Sequence, residues 1–346
     1  MKSHLSVVLA LSMMIVGTVS AQEWTPAGDH IRTPWAEEVT PDNVHKEYPR
    51  PQMVRPEWKS LNGLWEYSIT PKNAAVPEKF DGQILVPFAV ESSLSGVGRM
   101  LTPEDALWYK TTFRAPSAWK GKRLMLNFEA VDWQADVIVN DIQVGRHTGG
   151  YTHFSFDITP YLKSGDNTLV VRVEDATNND FQPRGKQVRN PKGIWYTAVS
   201  GIWQSVWIEP VAKARVTDYY AVSDIKAGTM NVSVSTDGLR EGDLVQVRLL
   251  DGGVGYSTEN GVTGKVVAQG KTVPNGSVTL PVNDAKLWSP DSPYLWHILP
   301  NQHSEPVAMV EPAGRLNLDV LTDHVEPEVL GFLNIKPQSL VGRSGV

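Results

Sequence analysis

Residues 123–175 read RLMLNFEAVDWQADVIVNDIQVGRHTGGYTHFSFDITPYLKSGDNTLVVRVED, and this stretch decides the fold. Apolar residues recur at every second position in Leu124, Leu126 and Phe128, in Ala135, Val137 and Val139, and in Leu169, Val171 and Val173. A period of two sends successive side chains to opposite faces, so each run reads as a half-buried strand. Turn formers separate the runs: Asn140-Asp141, Gly149-Gly150 and Ser164-Gly165-Asp166-Asn167. Residues of these types supply the positive φ and local hydrogen bonds that reverse a chain. The spacing predicts an antiparallel β-sandwich with little room for helix.

The same pattern continues outward. Residues 63–69, 84–87 and 108–114 read as further strands of this sandwich. From residue 214 the strands shorten, over 215–222, 230–236, 244–250, 265–269 and Ser277–Pro281. Their turns are Thr236-Asp237-Gly238, Asp251-Gly252-Gly253 and Pro274-Asn275-Gly276. Five short strands at this spacing predict a second, smaller sandwich of immunoglobulin type, with the boundary near 210–215. The chain is expected to be all-β.

Composition narrows the function classes. The 346 residues carry a formal charge of −6 without acidic or basic blocks, so no nucleic-acid footprint or polybasic membrane anchor is expected. With no cysteine, disulfides, thiol catalysis and cysteine-anchored lipidation are excluded. Lys2 followed by an apolar run over 5–19 and Val19-Ser20-Ala21 reads as a signal peptide over 1–21, predicting export to a bacterial periplasm or the extracellular space. No membrane span is expected after its cleavage. Residues 22–56, rich in Pro and charge, read as an extended arm laid over the sandwich and pinned by Trp35 and Tyr48.

The chemistry-bearing residues are dispersed. His147 and His153 flank a Gly-Gly turn with no partner at zinc-ligand spacing, so no metal is expected. Ser92, Ser93 and Ser200 lack a nucleophile elbow. The adjacent acids Glu129/Asp132 and Glu174/Asp175 read as turn and edge-strand charges rather than catalytic pairs. No cofactor is implied. Two long connections stand out, because long irregular segments in compact domains are commonly functional. One covers 91–105. The other covers 176–191, ATNNDFQPRGKQVRNP, with cations at Arg184, Lys186 and Arg189 and an anchor of buried type at Phe181.

Several ordered motifs carry a resemblance: Glu129-Ala130-Val131-Asp132, Ala135 to Asn140 (ADVIVN), Val144 to Thr152 (VGRHTGGYT), Phe156-Asp157-Ile158-Thr159 and 165–173 (GDNTLVVRV). They are supported by Leu61-Asn62-Gly63-Leu64-Trp65, Val86-Pro87-Phe88, Trp108-Tyr109 and Val199 to Gln204 (VSGIWQ). Over about residues 45–210 the chain resembles the N-terminal sugar-binding jelly roll of glycoside hydrolase family 2, the β-galactosidases, β-glucuronidases and β-mannosidases. The run from Leu287 to Leu295 (LWSPDSPYL) is similar to the close of that family's immunoglobulin-like domain. The resemblance implies an arm at 22–56, a jelly roll at 57–211 and an immunoglobulin-like sandwich at 212–298. Past Trp296 the pattern is lost, and 299–346 is expected to be an irregular, disordered tail, either out-of-frame sequence or a degenerate remnant. The family's (β/α)8 barrel, with both catalytic glutamates, has no counterpart in these residues, so no catalytic residue is carried over.

What the resemblance implies instead is sugar contact from two places, 91–99 and 180–195. The candidates are Glu91, Arg99, Asp180, Arg184 and Lys186, whose charged groups suit bidentate bonds to vicinal hydroxyls. Trp195 is either a stacking face or part of the core. An acid expected just before Ser200-Gly201-Ile202 is replaced by Gly193-Ile194. Three readings follow: an accessory region of an exported glycosidase, inactive alone; a stand-alone carbohydrate-binding protein; or an assembly piece able to form homo-oligomers.

Overall fold

The structure is a computed structural model that describes residues 24–28, 32–50, 53–55, 57–251, 265–283, 285–292, 296–303 and 330–333. The expected signal peptide and most of the expected tail lie outside them. The described residues are almost all strand and turn, with helix confined to single 3-10 turns such as Ser93–Ser95. No described helix is long and apolar enough to cross a membrane.

The alternating runs build two facing antiparallel sheets. The larger has the order Gly82–Val86, Gly63–Pro71, Asp105–Phe113, Asn167–Glu174, Gln134–Val139 and Ile142–Thr148. Its centre is in register through Val171, which lies opposite Tyr109 on one side and Val137 on the other. The smaller has the order Phe154–Asp157, Arg123–Phe128, Val206–Val211 and Lys59–Ser60. Trp65, Leu107, Tyr109, Val137 and Leu169 pack in one core with Leu126, Phe128, Val206 and Ile208. Every one of these is nearly or fully removed from water. Burial of this kind contributes about 25 cal/mol per Å² of apolar surface, which makes the alternation a sufficient cause for the sheets.

The second sandwich sets Arg215–Asp224, Thr229–Asp237 and Ser277–Pro281 against a sheet containing Leu244–Asp251, Lys265–Thr272 and Trp296–His303. Pairing along Trp296–His303 runs past residue 298, and Leu330–Leu333 pairs with both Trp296–Ile298 and Met53–Val54. The arm therefore contributes an edge strand and the buried Met53 to the second core, which also holds Val232, Val245, Val247 and Leu249. Tyr48 pins the arm as expected, but Trp35 is 70% exposed and pins nothing.

The hinge between the sandwiches is a buried polar hub. Glu209, at the end of the first sandwich, accepts from Arg55 Nε at 3.2 Å, Tyr48 Oη at 2.8 Å and Trp207 Nε1 at 3.1 Å. Arg55 and Glu209 are both almost inaccessible. Burial, followed by the Glu209 charge, raises the Tyr48 phenol far above its usual range, so it serves as a donor. Breaking one partner of a buried pair leaves an uncompensated charge and costs about 3–5 kcal/mol. Glu209→Ala is therefore expected to lower unfolding stability in urea by about that amount, with a loss under about 1 kcal/mol contradicting a buried hub.

Candidate functional site

The strand Asn167–Glu174 delivers Asp175 to one end of the jelly roll, and Gly201–Ile202 returns the chain beside Val131–Asp132. Residues 176–199 span the interval as one long loop, closed at its base. Ser200 Oγ donates to Asp175 Oδ2 at 2.6 Å, and the Ser200 N–H donates to Glu91 Oε2 at 2.9 Å. The Thr177 N–H and Gln182 Nε2 donate to Asp175 Oδ1 at 2.7 and 2.6 Å. A buried carboxyl group needs such donors, since burying it unbonded costs several kcal/mol.

Two glycines let the base pack this closely. Gly201 has φ +85°, and a Cβ there would stand 2.0 Å from Tyr109 Oη, the atom that accepts from the Ile202 N–H at 3.1 Å. At Gly150 a Cβ would meet the Asp132 carboxyl group at 2.4 Å. Neither position has room for a larger residue. Gly150 O also accepts from Trp203 Nε1 at 2.8 Å, and the rings of Tyr151 and Trp203 meet edge to face with centroids 6.1 Å apart.

Beneath the loop three carboxyl groups share one buried region. Burial, partly opposed by the Ser200 bonds, pushes the Glu91 carboxyl up to about 7. Burial again, then the charges of Asp175 and Glu91, push Asp132 up to about 8. Glu91 Oε1 and Asp132 Oδ1 are buried without a hydrogen-bond partner among the described residues. Tyr151 feels the same charges, its phenol raised first by burial and then by Asp132 and Asp175.

Above this base the loop is stitched to itself and to Tyr151. Gln187 Nε2 donates to Tyr151 Oη at 3.0 Å while its Oε1 accepts the Val199 N–H at 2.8 Å. Gln187–Val188 pairs in parallel with Tyr196–Thr197, and the Tyr196 N–H donates to Lys186 O at 3.0 Å. The outcome is a held loop with an aromatic outer face. Trp195 is 42% exposed, Tyr196 and Ile194 more so, and the Arg184 guanidinium sits 5.9 Å from the Trp195 ring centroid. An exposed, fixed indole offers a face on which sugar C–H surfaces stack, beside charged donors for hydroxyls.

Of the expected contacts, Arg184 and Trp195 touch, and Asp180 and Lys186 share their loop. Asp180 is exposed, its Oδ1 accepting the Phe181 N–H at 2.7 Å. Glu91 is not on the surface: it is buried under the loop and holds Ser200. Arg99 is exposed, but its N–H is bonded to Val90 O and its charge acts on the Tyr67 phenol, so no contact brings it to the loop. Residues 91–99 instead fold around Ser95, whose hydroxyl donates to Ser92 O at 2.7 Å and accepts from the Val97 and Gly98 N–H groups. Trp195 is on the outer face, which settles the choice against the core. Phe181 is fully exposed and anchors nothing, because Gln182 and Asp175 hold that end of the loop with polar bonds.

Asp132 and Asp175, read as turn and edge-strand charges, are buried members of the cluster. Their burial depends on Ser200 and Gly150, which are distant in sequence. The small residues Ser200-Gly201 and Gly149-Gly150 were the available signal. Glu174 does behave as a surface charge, paired with Lys72 at 3.1 Å and Arg172 at 2.5 Å. His147 stacks on Phe154 with centroids 4.1 Å apart, a packing role. Among the described residues no group of three or more His, Cys, Asp or Glu is placed to hold a metal ion.

With this geometry in hand, residues 99–200 match the model of a family described as glycosyl hydrolase 2 galactose-binding domain-like. Over residues 99–200 the chain is similar to the galactose-binding-like domain of glycosyl hydrolase family 2. A β-galactosidase of Thermoanaerobacter pseudethanolicus is 30% identical over 195 residues, 55% of this chain and 25% of that protein. A β-glucuronidase of Paenibacillus borealis is 27% identical over 268 residues, 72% of this chain and 43% of that one. The fold of the Lactobacillus rhamnosus β-glucuronidase superposes with a TM-score of 0.58 at 24% identity, covering 80% of this chain and 44% of that one. The chain thus spans less than half the length of these relatives.

The buried carboxyl cluster has a pH signature. Carboxyl groups raised in the folded state bind protons that the unfolded chain has released, so stability is full below about pH 4 and falls as pH rises through 7 to 8. Melting temperature is expected to decline across that window. Asp132→Asn removes one ionisation and flattens the decline, so that its stability relative to the parent rises by several kcal/mol from pH 5 to pH 8. Parallel curves for the two proteins would contradict the buried cluster.

Proposed function

We propose that the galactose-binding-like domain holds carbohydrate on the outer face of loop 176–199, as the accessory region of an exported family 2 glycoside hydrolase. The observation that carries this reading is the exposed Trp195 indole, fixed beneath the Arg184 guanidinium on a loop closed by Asp175 and Ser200. An aromatic residue left this accessible, on a loop with so many internal bonds, is a platform rather than a packing element. The relatives are named β-galactosidase and β-glucuronidase, which is why a β-linked sugar is the expected ligand. Export rests on the signal-peptide pattern over 1–21.

These residues bind sugar and do not cleave it. Retaining glycoside hydrolysis needs two carboxyl groups about 5 Å apart flanking the glycosidic bond. Glu91, Asp132 and Asp175 lie under the loop, where a glycosidic bond cannot reach them.

Calorimetry of the purified chain with methyl β-galactoside and methyl β-glucuronide is expected to show weak binding, roughly millimolar, as suits an open surface that buries little of its ligand. Trp195→Ala is expected to weaken it about tenfold with an unchanged melting temperature. Nitrophenyl β-glycosides are expected to stay intact. Absence of any binding by the folded chain, or turnover that persists through purification, would overturn the reading.

A further inference from the structure

Four cations are concentrated on this loop: Arg184, Lys186, Arg189 and Lys192, in a protein whose formal charge is −6. None of the four forms an ion pair with a described residue, whereas cations elsewhere do, as Arg123 does with Asp157 and Asp237 and Arg172 with Asp136 and Glu174. Lys186 and Lys192 are exposed, Arg184 lies against Trp195, and Arg189 Nε is buried with no hydrogen-bond partner among the described residues. The loop's own acid, Asp180, turns an oxygen to the Phe181 N–H and offsets none of them. The sign of the surface is therefore inverted locally, beside the aromatic face.

A neutral sugar uses hydroxyl donors and acceptors and gains little from four unpaired cations. A sugar that carries anions gains a charge-assisted bond from each one it reaches. We infer that the loop face takes anionic carbohydrate, chains bearing carboxylate or sulfate groups, with the Trp195 and Tyr196 rings under the sugar and the cations around its charges. This rests on the carbohydrate reading above and specifies the ligand class. A single-stranded nucleic acid would also offer anions and flat faces, but the sequence carries no basic block that would track a backbone, so the short charged loop suits a glycan better.

The test is calorimetry of the full chain with three oligosaccharides of equal length: an oligoglucuronate, a sulfated oligogalactose and a neutral oligogalactose, with a single-stranded oligonucleotide as a fourth ligand. The expected result is binding of at least one anionic sugar about tenfold tighter than the neutral one, as one or two charge-assisted bonds would give. That advantage is expected to shrink from 50 to 300 mM salt as the charges are screened. The two anionic arms distinguish carboxylate from sulfate. Lys186→Gln with Lys192→Gln, both exposed, is expected to remove most of the preference for the anionic sugar while leaving melting temperature unchanged. Arg184→Gln provides a second route, since it removes the cation above Trp195 without touching the base of the loop. Equal affinity for charged and neutral sugars overturns this inference and leaves the carbohydrate reading standing. Tighter binding of the oligonucleotide overturns it in favour of nucleic acid. No sugar binding at all overturns both.

Discussion

Ser200 bonds two buried carboxyl groups at once, Asp175 through its hydroxyl and Glu91 through its backbone N–H. The geometry of the loop face depends on that pair of hydrogen bonds. A long connection loses conformational entropy when its ends are brought together, and the cost rises only slowly with length, so a few strong contacts at the base can hold it. Asp175 stands at the exit of a central strand and Ser200 at the entry to a short one, so the clasp joins the loop to the most deeply buried part of the jelly roll. Everything above it, the Gln187 bridge to Tyr151 and the Trp195 platform, is then set on a fixed base.

The same arrangement explains why buried acids are tolerated here. Asp175 has three donors, while Glu91 and Asp132 each keep one oxygen with none. Burial shifts both of these toward the protonated form near neutral pH, which avoids burying isolated charges. Buried carboxyl groups lie below the loop and exposed cations above it, so the two sides differ in role. The inner side serves packing, and the outer side is left to meet a ligand.

The strands were legible because alternation is a local property: Leu124, Leu126 and Phe128 show their inward face without knowledge of any partner. Turn residues marked the reversals in the same way, and Ser277–Pro281 is a strand over the residues its pattern delimits. The loop was legible as a place, from its length and its cations, but the approach of Arg184 to the Trp195 ring was not. Its base was not. Glu91 lies 109 residues from Ser200, and Asp175 lies 25 away. No local pattern tells a carboxyl group that will be enclosed by such partners from one left in water. Phe181 shows the reverse error, an apolar residue in a loop whose end is secured by polar bonds instead. The arm's Met53 belongs to the second core for a reason equally remote, the edge pairing with Leu330–Leu333.

The central claim is that the Asp175–Ser200 clasp holds the platform in place, and amide hydrogen exchange on Ser200→Ala tests it most directly. The account predicts that the Tyr196 and Gln187 amides, bonded to Lys186 O and Arg184 O, lose protection, while Val137 and Val171 in the central sheet keep theirs. Unchanged protection at Tyr196 and Gln187 would contradict it, and would mean that the loop holds its shape without the clasp.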